Sequence, residues 1–237
     1  MRYNVIMSVE KMSSKSELSQ SEQAGLENVP LNSELIYSVG VSTAGNAEMA
    51  FLERLPKTKV VASTLDDKGG ELVSDLIEKK KLGDKISVKI EDVSQPLPYP
   101  DNNFDYIYAR LVLHYLTKQE LTNSLQELYR VTKENGRIFV VVQSVNNPQA
   151  TTEKIDYDDE TGLTTYVPTD EPSKVLKRFF HSQESISEFV EKAGFDVKSV
   201  RAYDEITYSD FARTINPNNR ELVEVVAEKP ENHGLEP

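Results

Sequence analysis

Three stretches of this chain carry residue types that do chemistry. Gly40 to Gly45 reads GVSTAG, small residues bounded by glycines. Backbone N–H groups in such turns cradle anions, and glycine lets a ligand approach the main chain closely. The spacing fits an incomplete dinucleotide fingerprint, G-x-S-x-x-G, and equally a plain tight turn. Asp66 follows roughly 20 residues on, where that fingerprint places an acid for a ribose hydroxyl. It also fits an acid favoured by a helix dipole. The second stretch holds Arg110 and His114. A guanidinium there can grip a carboxylate through two hydrogen bonds, or make a surface ion pair. An imidazole titrating near working pH can take a proton from a substrate. Later, Arg178 and His181 bracket Phe179 and Phe180 and are candidates for substrate contact.

What the chain lacks bounds that chemistry. Among its 237 residues there is no cysteine, which excludes disulfides, zinc–thiolate sites and thiol nucleophiles. Three scattered histidines, His114, His181 and His233, make no metal set, so none is expected. The 39 acidic and 27 basic side chains give a net charge of −12. Such a chain is a poor generic partner for nucleic acid or anionic lipid. No run approaches the ~18 apolar residues of a membrane span. The opening MRYNVIMSVEKMSSKSELS lacks a secretory signal's apolar core and cleavage site. A soluble, cytoplasmic protein is expected.

The elements that must position these residues alternate. Residues 8–28 read as a helix or arm. Short apolar strands are expected at 35–39, 58–63, 86–90, 104–108 and 137–143. Between them, Ala47, Ala50, Phe51 and Leu55 have helical spacing. So do Leu72, Leu76 and Ile77 within 66–81, and Leu121, Leu125 and Leu128 within 118–132. Asn135-Gly136 reads as the C-cap of the last of these helices. Strand–helix alternation at this pitch predicts an α/β sheet of parallel strands. Residues 144–178 have no clear period and read as a long loop or cap. A helix capped by Ser182 and ended by Gly194 follows. Strands at 195–203 and 221–228 have no full crossover helix between them, which predicts an antiparallel pair at a sheet edge.

Several segments together resemble the class I S-adenosylmethionine-dependent methyltransferases, in the small-molecule subgroup (methyltransferase-domain type 11/25-like). They are DVSQPLPYPDNNFDYIYARLVLHYL, ELYRVTKENGRIFVVV, RFFHSQESISEFVEKAGFDVKSV and ELVEVVAEKP, in that order within about residues 34–229. The resemblance implies a Rossmann-like, doubly wound seven-stranded sheet of order 3-2-1-4-5-7-6, with the last strand antiparallel. With the reading of the elements above, the chain divides into an N-terminal helical arm at 1–30, a methyltransferase-like domain at 31–230 with a cap insertion at about 144–178, and a disordered tail at 231–237.

The resemblance also implies S-adenosyl-L-methionine as cofactor, held at positions where this chain partly departs from the pattern. The family's acid and G-x-G-x-G fall on Ser38, Gly40, Ser42 and Ala44, so the glycine loop is degenerate. The ribose acid falls on Thr64, with Asp66 two residues on. Asp92 matches the adenine contact, and Val93 would pack beside the base. Arg110 lies at the rim of the crevice, and His114 is the possible base. The implied activity is methyl transfer to a small-molecule acceptor by in-line displacement. The departures leave an alternative open: a catalytically inactive methyltransferase-like binding protein with weakened or altered cofactor binding. A nicotinamide-dependent oxidoreductase is a third reading, carried by the glycine turn and Asp66.

Overall fold

The computed structural model of the protein describes residues 18–42, 44–169, 171–207 and 218–231. Most of the expected N-terminal arm, all but the first residue of the expected tail, and the connection 208–217 between the last two strands lie outside the described residues.

Five strands follow the sequence pattern: β1 (Leu35–Val39), β2 (Lys59–Thr64), β3 (Ile86–Ile90), β4 (Phe104–Arg110) and β5 (Thr132–Gln143). After three short strands come β9 (Asp196–Thr207) and β10 (Asn218–Glu228). The seven pair in the order β3-β2-β1-β4-β5-β10-β9. β1 to β5 are mutually parallel, and β10 runs antiparallel to both β5 and β9. This is the predicted order, with the chain's last strand antiparallel. Strand order reverses between β1 and β4, which opens a crevice at their carboxyl ends.

Alternating side chains build a core on each face. Ile36, Tyr106, Tyr108 and Phe139 lie on one face, against α2 (Asn46–Arg54) and α3 (Asp67–Lys79). Tyr37, Val39, Ile107 and Val140 lie on the other, against α4 (Lys118–Val131) and α5 (Gln183–Lys192). Leu121, Leu125 and Leu128 of α4 are fully buried, each contributing about 1.5–3 kcal/mol. A Thr117–Glu120 capping box starts α4. The first described helix, α1 (Gln20–Asn28), begins with a Ser19–Glu22 capping box. It lies so close on the sheet that a Cβ on Gly25 would clash with the Tyr108 ring.

Three expectations change. Asn135-Gly136 is not a C-cap. α4 gives way directly to β5 at Thr132, and the pair forms an irregularity inside that strand, with Asn135 at φ 60. A Cβ at Gly136 would meet the Lys133 carbonyl at 2.7 Å, so the bulge needs its glycine. In α3 the inward face is Gly69, Gly70, Val73 and Ile77, whereas Leu72 is exposed. The stretch 144–178 holds a small antiparallel sheet, β6 (Lys154–Tyr157), β7 (Thr164–Tyr166) and β8 (Leu176–Arg178).

Candidate functional site

The turn after β1 resolves what its missing glycines mean. Gly40 has φ +76 and Gly45 has φ +56, the left-handed region that favours glycine. Ser42 and Ala44 are absent from the positive-φ residues. Gly40, the one glycine the pattern keeps, and Gly45 therefore sit where the backbone requires them, and the serine and alanine add no such strain. A Cβ at Gly40 would lie 2.9 Å from Val112 Cγ2, which fixes this turn against the one after β4. Val41 N–H donates to the Ser63 carbonyl at 2.8 Å, tying it also to the end of β2. Ser42 is exposed, while Ala44 is buried.

Ser38 is buried, and its hydroxyl donates to Glu48 at 2.5 Å. Glu48 stands in the first turn of α2, where the helix dipole favours a carboxylate. Burial nevertheless pushes its pKa up, with the Ser38 hydrogen bond opposing the shift. The sequence reading missed Glu48; the signal available was an acid three residues beyond the last loop glycine.

At the next two strand ends the carboxylates are engaged locally. Asp66 is the N-cap of α3 and accepts from Lys68 N–H at 3.2 Å, while its own N–H donates to Thr64 Oγ1 at 3.1 Å. Asp92 Oδ1 accepts from Ser94 N–H at 2.9 Å, an Asx turn. Val93 is buried in the core on the α4 side. Glu91, also unforeseen, accepts from the hydroxyls of Tyr37 at 3.0 Å and Tyr99 at 2.6 Å.

Of the two readings of Arg110, a grip on a ligand carboxylate or an ion pair within the protein, the structure shows an ion pair, with Glu205 of β9 at 2.9 Å. Arg110 also donates to the hydroxyls of Ser21 (2.5 Å) and Ser19 (3.1 Å). It therefore joins α1, β4 and β9.

Past β4, Leu111 takes φ +55 and donates to the Val141 carbonyl at 2.8 Å. A left-handed bulky residue costs about 1–2 kcal/mol. It turns the chain into the 3₁₀ turn Leu113–Tyr115, which carries His114. The His114 ring is buried, and neither nitrogen has a hydrogen-bond partner. Burial, with Arg178 and His181 nearby, holds its pKa well below the usual imidazole value, so it is neutral at pH 7. The cap reaches this turn directly, because Phe179 N–H donates to the His114 carbonyl at 2.8 Å.

Arg178 donates to Tyr115 Oη at 3.1 Å and lies 5.0 Å over that ring and 5.9 Å from the centroid of Tyr166. His181 is fully buried and donates its N–H to the Gln143 carbonyl at 3.0 Å, docking on the end of β5. Its Nδ1 meets Ser185 Oγ at 3.2 Å, and burial lowers its pKa to about 3. Around this cluster, His114 Nδ1 and Nε2, His181 Nε2, Arg178 Nε, Gln143 Oε1 and Tyr166 Oη are all buried without partners. Buried polar atoms are rarely left unsatisfied, and this many together mark a place for a polar ligand or water.

His114, Arg178 and His181 are thus brought together. Ser38, Gly40 and Arg110 share the β1–β4 end, and Thr64, Asp66, Asp92 and Val93 follow the β2 and β3 ends. Among the described residues no His/Asp/Glu group is arranged to hold a metal, and no helix is long and apolar enough to cross a membrane.

Known proteins resemble this chain in sequence and in fold. A methyltransferase-domain family model matches residues 38–140. An uncharacterized methyltransferase, YodH of Bacillus subtilis, is 28% identical over 122 residues; the match spans 51% of this chain and 48% of that protein. A solved S-adenosylmethionine-dependent methyltransferase of Methanosarcina mazei superposes with a TM-score of 0.72 at 14% identity, over 86% of this chain and 96% of that one. The [4+2]-cyclase SpnF superposes with a TM-score of 0.65 at 16% identity, over 88% and 80% of the two chains. At these identities the solved structures speak for the fold.

Proposed function

From a chain that resembles the class I S-adenosylmethionine-dependent methyltransferases, with S-adenosylmethionine as the cofactor supported, we propose an enzyme that methylates a small-molecule acceptor. When bound, the cofactor supplies a methyl group on a sulfonium, open to in-line displacement. The residues that would hold it are the Gly40–Gly45 turn for the amino-acid end, Thr64 and Asp66 for the ribose, and Asp92 and Val93 for the base. The turn fits such a group: its left-handed glycines are in place, and Ser42 is exposed beside them.

One observation carries the acceptor side. The buried, unpartnered atoms of His114, Gln143, Tyr166, Arg178 and His181 gather between the β4 and β5 ends and the cap. His114, neutral by burial, takes the proton of an acceptor hydroxyl or amine. Arg178, already flanked by Tyr115 and Tyr166, pairs with a negative group on the acceptor. The cap excludes water and holds the acceptor in line, so that positioning supplies much of the rate. The net charge of −12 disfavours a nucleic-acid acceptor.

A methyltransferase-like binding protein without catalysis is the second reading. It is favoured by Arg110 being already paired with Glu205 and by serine at position 38. The test is incubation of the protein with methyl-labelled S-adenosylmethionine and a metabolite extract. The proposal expects label in a low-molecular-mass product, and none with His114→Gln. Cofactor binding without any labelled product supports the second reading instead.

A further inference from the structure

Glu22, Glu48 and Glu205 are each more than nine-tenths buried at the carboxyl ends of β1 and β4, beside the guanidinium of Arg110. Glu205 and Glu48 are matched unequally. Glu205 is held by Arg110 and by the backbone N–H and hydroxyl of Ser21. Glu48 by contrast receives the Ser38 hydroxyl and has no ion-pair partner among the described residues. Nearby, the Tyr108 hydroxyl is buried with no hydrogen-bond partner, and it feels the charges of Arg110, Glu22, Glu48 and Glu205. A buried carboxylate with no cation and a buried hydroxyl with no partner are both costly in isolation. A small cation with several N–H donors satisfies both at once.

We infer that Glu48 and Tyr108 receive the ammonium group of the cofactor's amino-acid end, Glu48 by a charge-assisted hydrogen bond and Tyr108 through its hydroxyl oxygen. The inference rests on the methyltransferase reading. It makes Glu48 the carboxylate that position 38 lacks, brought back to the same place from the first turn of α2. Ser38 then orients Glu48 by donating to it. Arg110, occupied by Glu205 and by the Ser19 and Ser21 hydroxyls, ties α1 to β4 and leaves Glu48 for the ligand.

The test is calorimetric titration of the full chain with S-adenosylhomocysteine and, separately, with 5′-methylthioadenosine, which keeps the nucleoside and lacks the amino acid. Glu48→Gln is expected to weaken S-adenosylhomocysteine about tenfold or more while leaving 5′-methylthioadenosine unchanged. Adding Ser38→Asp to Glu48→Gln is expected to recover part of the loss. Tyr108→Phe, which removes one atom and keeps the ring packing, is expected to give a smaller loss of the same selectivity, and it serves if Glu48→Gln does not fold. Unchanged S-adenosylhomocysteine affinity in both variants overturns the inference and leaves the methyltransferase reading standing. So does equal weakening of both ligands, the mark of a purely structural role. Failure of the unmodified protein to bind either ligand overturns both.

Discussion

Along the turn after β1 and at the β2 and β3 ends the chain satisfies itself: Val41 N–H donates to Ser63, Asp66 caps a helix, Asp92 closes a turn and Glu91 takes two tyrosine hydroxyls. At the β4–β5 ends and under the cap, the atoms of His114, Gln143, Tyr166, Arg178 and His181 are buried and left over. Apart from Glu48 and Tyr108, the first side of the crevice is a frame whose polar groups need no guest. The other stores unmet hydrogen bonds, a cost to stability that a ligand recovers. Substitutions should therefore act with opposite sign on the two sides.

The largest effect is expected on the frame. Gly40→Ala forces a side chain into a left-handed residue and against Val112, and should cost about 2–4 kcal/mol in urea unfolding. A loss below 0.5 kcal/mol, roughly the error of such melts, would mean the turn relaxes freely. Next comes pH. His181 has a folded pKa of about 3, against an unfolded value near 6.5. The unfolded chain binds the proton first, so its contribution is whole above pH 6.5 and is lost as pH falls toward 3. By pH 5 this amounts to about 2 kcal/mol. Urea melts of His181→Gln should be flatter than wild type between pH 8 and 5; parallel curves would refute a buried neutral ring.

On the acceptor side, Tyr166→Phe removes a buried hydroxyl that has no partner. It should raise stability by about 1 kcal/mol while lowering methyl transfer; a destabilised variant with full activity contradicts the contrast between the two sides. Smallest is Asp66→Ala, the loss of an exposed N-cap, at about 0.5–1 kcal/mol. A drop in S-adenosylhomocysteine affinity beyond that stability loss would assign Asp66 to the ribose as well.

The sequence was most readable where burial leaves a pattern. The unbroken run Ile138 to Val142 had to be an inner strand, and the leucine spacing of α4 had to face it. Asn135-Gly136 misled because a left-handed residue followed by glycine serves a β-bulge as well as a helix end. The cap sheet was invisible: its strands are three or four residues long, and β6 is wholly exposed, so no hydrophobic alternation marks it. Of the site, Gly40 was legible by its turn. The meeting of His114 with Arg178 and His181 was not, because it depends on how the cap folds back onto the 3₁₀ turn. Glu48 looked like any acid opening a helix until Ser38 was seen beneath it.

A crystal structure of the full chain with S-adenosylhomocysteine tests the central claim most directly, because it joins the two sides through one atom. The account predicts the nucleoside along the β2 and β3 ends, the amino acid in the Gly40–Gly45 turn, and the sulfur facing His114, Tyr166 and Arg178. A ligand bound elsewhere, or a sulfur turned away from that cluster, would contradict it.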